Sequence, residues 1–149
     1  MDISWTKQAD DGNAAVGSDR DTLISLVNDV KRMIESRNSS ALSVAFELLE
    51  VWLAVHFKDE EKKAQAANID FSSRKFEQQY ELNELGFLRD GLATKNGGWS
   101  DSEAKLDIQF LSNWLIEHIT NEDLHKNQIQ TGHAKHGACA NNEIFVQGA

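Results

Sequence analysis

Apolar residues recur at intervals of three and four in four stretches of the chain, with polar or glycine-containing clusters between them. Leu23, Val27, Val30 and Ile34 form the first line, and Leu42, Ala45, Leu49 and Trp52 the second. Phe71, Leu82 (with Glu81 as the alternative), Leu85 and Leu92 form the third, and Leu111, Trp114 and Leu115 the fourth. Each line has the spacing of a helix with one buried face. Breakers cluster at residues 10–17, 38–40, 68–73 and 96–100, and no proline occurs anywhere. The pattern predicts helices from Ser18 to about Arg37, Ser40 to about Ala67, Ser72 to about Thr94, and Ser100 or Asp101 to near Asp123. Ser18 is placed to cap the first of them. The expected fold is all-α: an up-down-up-down antiparallel four-helix bundle within residues 1–130, with an N-terminal arm anchored by Trp5 and a flexible tail over residues 131–149.

Polar residues interrupt all four lines, and they do so at one end. Extended backwards, the first line reaches Arg20. The second continues into His56 and Glu60, the third opens on Arg74 and Gln78, and the fourth continues into His118, with Asp123 five residues on. Antiparallel neighbours joined by short loops bring these positions to one level of the bundle. Burying a polar group unpaired costs several kcal/mol, so such a cluster demands partners among its own members or a metal. On helical geometry Glu122, four residues from His118, shares the histidine's face better than Asp123, and geometry alone does not choose between them.

Charge narrows the partners. The 149 residues hold 15 basic and 24 acidic side chains, a net charge of −9, which disfavours nucleic acid and anionic membranes. No apolar run approaches the roughly 18 residues that a membrane span needs. Met1-Asp2-Ile3-Ser4-Trp5 does not read as a signal peptide, and the single Cys139 cannot form an internal disulfide; together these fit the cytoplasm. Trp52, Trp114, Phe76 and Phe110 read as core or near-core packing. His133, His136 and Cys139 have a metal-ligand spacing, but in a tail rich in glycine and alanine they read as flexible chain. No phosphate loop, nucleophile triad or CxxC motif occurs, so no enzyme is expected.

Trp5 with Gly12, Leu23 with Leu26-Val27-Asn28, His56-Phe57-Lys58-Asp59-Glu60-Glu61, and Trp114-Leu115-Ile116-Glu117-His118-Ile119 with Asp123 resemble the bacteriohemerythrins of the hemerythrin-like (HHE cation-binding) family. The resemblance covers residues 3–127. It implies a bacterial four-helix bundle in which five histidines and two bridging carboxylates hold two irons that bind oxygen reversibly. Carried over by position, His56 and His118 would be terminal ligands, and Glu60 and Asp123 the bridges. At the three remaining histidine positions this chain has Arg20, Arg74 and Gln78.

Arginine stays protonated and cannot ligate a metal, but it pairs well with carboxylates. The expected site is therefore degenerate, with Arg20 and Arg74 neutralising Glu60 and Asp123 and no cofactor bound. The alternative is iron, as a single ion on His56, Glu60, His118 and Asp123 or as two ions with Glu77 or Glu81 recruited. The expected role is non-enzymatic binding, regulation or sensing. The alternative is a working metal centre with a reduced ligand set, handling oxygen, iron or nitric oxide. A protein partner recognised through the arm or tail fits either reading, as does a monomer or weak oligomer.

Overall fold

In a computed structural model of the chain, residues 14–138 are described, with side chains from residue 19 to residue 128. Four helices account for almost all of them: α1 (Ala14–Ser36), α2 (Ser39–Ala66), α3 (Ser72–Lys95) and α4 (Asp101–Ala138). No strand occurs among the described residues. α1 packs on α2 and α4, and α3 packs on the same two helices, which closes an antiparallel four-helix bundle.

The turns follow from local chemistry. Arg37 takes a left-handed φ of 61° to end α1, and the Asn38 side chain then caps α2 by accepting a hydrogen bond from the Ala41 amide at 3.0 Å. Asn68 and Asn96 hold the left-handed positions after α2 and α3. Gly97 follows at φ 87°, where a Cβ would stand 3.1 Å from the Arg37 carbonyl oxygen. Ser100 and Glu103 cap α4 reciprocally: the Ser100 amide donates to Glu103 at 2.8 Å and the Glu103 amide to the Ser100 hydroxyl at 3.1 Å. The indole of Trp99, itself buried, donates to the Ile34 carbonyl at 2.9 Å, and Arg37 Nε donates to the Trp99 carbonyl at 2.9 Å. These bonds latch the loop before α4 onto the end of α1.

Four boundaries or placements differ from expectation. α1 begins at Ala14, so Ser18 lies a turn inside the helix and is not its cap. α4 continues to Ala138, past the expected tail start at Thr131. The cause is the same in both: glycine costs a helix only about 1 kcal/mol, and without proline nothing stops the ladder. Phe76 faces solvent, 78% exposed, because the inner face of α3 is taken by Arg74, Gln78 and Glu81. α2, finally, is long and apolar enough by length and composition to cross a membrane, although only a third of its most apolar stretch is buried in the bundle. The Trp5 arm lies outside the described residues, as do the side chains of His133 and His136 and all of Cys139.

The core is built from Leu23, Val27, Val30 and Ile34 of α1, Leu42, Phe46, Leu49 and Leu53 of α2, Leu85 and Leu92 of α3, and Leu111, Trp114 and Leu115 of α4. Leu49 has no exposed surface. Replacing it with alanine is expected to cost about 2–5 kcal/mol through the cavity left behind. Urea unfolding followed by helical circular dichroism measures this, and a loss under about 0.5 kcal/mol would mean the inward face of α2 is misassigned.

Candidate metal centre

α3 is the helix that makes the site. Its buried residues are Arg74, Gln78 and Glu81 in the first half and only Leu85 and Leu92 in the second. Facing them, α2 buries Glu60 and α4 buries His118, Glu122 and His125. Three carboxylates and one guanidinium are thus enclosed at one end of the bundle.

The pairing is specific. Gln78 Nε2 donates to Glu60 Oε1 at 2.8 Å, and Arg74 reaches the same oxygen at 3.4 Å. Arg74 also binds Glu77 at 3.1 Å and stands 3.9 Å from Glu81. His56 Nε2 lies 3.1 Å from Glu60 Oε2 and is hydrogen-bonded to Glu122 Oε2. His118 Nδ1 is held by Glu81 Oε1 at 2.7 Å, and Asn121 Nδ2 donates to the other Glu81 oxygen at 3.5 Å. Indole rings lie parallel on both imidazoles, Trp52 on His56 at 4.8 Å and Trp114 on His118 at 5.4 Å. Trp114 Nε1 donates to the Glu81 carbonyl at 3.1 Å, tying that stack to α3.

His118 Nε2 is fully buried and has no hydrogen-bond partner. It stands 4.0 Å from Glu122 Oε2. His56, His118 and Glu122 each offer a ligand atom, and the three atoms lie within 4.8 Å of one another. Two imidazoles and a carboxylate suit iron, zinc or manganese. Glu81 holding Nδ1 is the arrangement that leaves the other nitrogen of a histidine free for a metal.

The positions expected from sequence are partly brought together. His56, Glu60, Arg74, Gln78 and His118 meet at one level. Asp123 does not join them: its side chain is 53% exposed and binds Arg20 at 2.5 Å, outside the cluster. Glu122 takes the inner place, because a residue four on from His118 lies over it while one five on is rotated away. Sequence reading missed His125 as a site member, weighed Glu122 against Asp123 without settling on it, and left Glu81 as an alternative to Leu82. Their signal was available, since His118, Glu122 and His125 keep the same i, i+4, i+7 spacing as the apolar lines. His125 is buried edge-on against Phe71 at 5.1 Å, its Nε2 also unpartnered, and burial pushes its pKa down.

Burial alone would lower the His56 pKa, but hydrogen bonds and charge from Glu122 and Glu60 override it and raise the value to about 9. Burial likewise pushes Glu122 up, but the bonds from His56 and Glu60 and the charges of His118 and Lys126 hold its carboxyl well below the usual range.

Over 69 residues the chain is 36% identical to "Hemerythrin subunit alpha" of Lingula anatina, covering 46% of this chain and 50% of that protein. The protein of the same description from Lingula reevii matches with the same identity and coverage. The chain spans half the length of the curated relatives it matches. No family model matches the chain, and no solved structure matches it significantly.

Two expectations follow from these charges. A histidine raised from 6.5 to about 9 contributes stability that is complete below pH 6.5 and lost as pH rises through about 9. Glu122 contributes above the unfolded carboxylate value, roughly 4.3, and loses its contribution as pH falls through its lower folded value. Unfolding free energy should therefore decline between pH 6.5 and 9 in the wild type and stay flat there in His56→Gln; an equal decline in both would assign the slope to another group. Arg74→Ala removes the one buried guanidinium facing three buried carboxylates and should cost about 3–5 kcal/mol. Arg20→Ala breaks a pair with a half-exposed partner and should cost about 1 kcal/mol or less. Comparable losses in the two variants would contradict the burial assigned to them.

Proposed function

We propose that this chain is a hemerythrin-like metal-binding protein that holds one transition-metal ion where a two-iron relative would hold two, in a binding or sensing role and not as an enzyme. The observation that carries the reading is His118 Nε2, buried, without a partner, oriented by Glu81 and grouped with His56 and Glu122. His56, His118 and Glu122 would hold the ion, with Glu60 beside them. When bound, such a metal supplies a Lewis-acid or redox centre with room for a small ligand.

The other half of the site has lost its ligands but not its charge. Arg74 sits against Glu60 and Gln78 donates to it, while Arg20 takes Asp123. A guanidinium cannot ligate, so Arg20 and Arg74 offer a second ion no donor. The similarity to hemerythrin subunit alpha supports the metal-binding reading, and the arginines support one ion in place of two.

A metal-free regulatory bundle is the second reading, favoured by the bond between His56 and Glu122, which closes the cluster's charge through a proton. Metal analysis separates the two. Loaded anaerobically with Fe²⁺ or with Zn²⁺ and desalted, the protein should retain one ion per chain, and binding should raise its unfolding temperature. Affinity should increase with pH through about 9, as His56 gives up its proton. His118→Ala and Glu122→Gln should each abolish retention, while Asp123→Asn should keep it. No retained ion at any pH would leave the metal-free reading; two ions would show that the arginines do not block the second place. The triple variant Arg20→His, Arg74→His and Gln78→His, which restores three imidazoles, should retain two.

A further inference from the structure

Away from the cluster, α2 carries a second organised line. Val44, Leu48, Val51 and Val55 are 54–66% exposed and stand at intervals of four, three and four. All four lie within about 60° on the side of α2 away from Leu42, Leu49, Leu53 and Glu60. Such spacing is that of the a and d positions of a coiled coil. From residue 39 to residue 55 the helix carries only two charges, Glu47 and Glu50, and Arg89 of α3 holds Glu50 at 2.5 Å. In a chain of net charge −9 this is a helix face kept free of charge. It also accounts for a helix apolar enough to span a membrane while only a third of its most apolar stretch is buried in its own bundle.

We infer that this face pairs with the same face of a second copy, antiparallel, about a two-fold axis between Leu48 and Val51. The intervals four, three, four read the same in both directions. The axis therefore sets Leu48 against the partner's Val51 and Val44 against the partner's Val55, a self-complementary contact. Antiparallel pairing also keeps Lys58 and Lys62 from meeting their own copies. Lys58 and Lys62 continue the line towards the C-terminal end of α2. A parallel pair would stack each on its own copy, whereas the antiparallel pair sets Lys58 against the partner's Ala41.

Area sets the strength. Four half-exposed aliphatic side chains offer on the order of 100 Å² each, so a pair buries roughly 800 Å² of them. A stable dimer of standard size buries about 1,200–2,000 Å². The dimer is therefore weak and reversible. Because two chains of like net charge approach each other, salt tightens it.

Sedimentation equilibrium of the full chain, from about 1 to 500 µM, tests this in low salt and in about 0.5 M NaCl. The expected result is a monomer–dimer equilibrium that shifts towards dimer with salt. Leu48→Glu combined with Val51→Glu should remain monomeric at every concentration while keeping its unfolding temperature and its helical signal, since neither residue enters the core. A wild type that stays monomeric at 500 µM would overturn the proposal, as would a dimer that persists in a folded double variant. Flotation with phosphatidylcholine vesicles covers the other occupant: a chain that binds vesicles and stays monomeric without them also overturns it. None of these results depends on metal content, so they stand apart from the one-ion reading.

Discussion

Three carboxylates and a guanidinium have to be kept paired inside this bundle, and the architecture at that end follows from the need. Glu60, Glu81 and Glu122 are almost completely buried, as is Arg74. Each alone would cost several kcal/mol to bury, and each is tied to an element other than its own. Arg74 and Gln78 join α3 to α2 through Glu60; Glu81 joins α3 to α4 through His118; His56 joins α2 to α4 through Glu122. α3 has little else with which to dock there, since Leu85 and Leu92 serve only its second half. The opposite end is held by different means, with Trp99 and Arg37 bonding to backbone carbonyls of the neighbouring turn.

The buried carboxylates of the cluster are satisfied by cations of two kinds. A metal dication and a guanidinium both satisfy a buried carboxylate, the first by coordination and the second by hydrogen bonds in fixed directions. Where Arg20 and Arg74 stand, the carboxylates Asp123 and Glu60 have a permanent cation. At His56 the cation is a proton, held beside Glu122 and Glu60. One end of one bundle therefore contains a fixed charge and an exchangeable one.

Much of this was legible in the sequence because helical spacing is strict. The inner lines of α1, α2 and α4 correspond to the buried residues of the structure, apart from the half-buried Trp52, and the breakers at residues 38, 68 and 96 fall at the observed turns. His56, Glu60, Arg74, Gln78 and His118 could be placed at one level from connectivity alone. Two kinds of feature were not legible. Asp123 against Glu122 is a choice of about 100° around α4, which only the packed neighbours decide. Phe76 looked like packing because aromatic residues usually are; an inner face already taken by polar side chains turned it outward. Helix ends in glycine-containing segments were likewise open, since the penalty for continuing is small.

Two of the chain's four tryptophans lie flat on the histidines of the cluster, Trp52 on His56 and Trp114 on His118. An excited indole can give an electron to the ring stacked on it, and a protonated imidazole accepts one far more readily than a neutral one. The bundle thus carries an optical probe in ring contact with the imidazole of His56. The emission of Trp52 therefore responds to the proton on His56, without any label being attached.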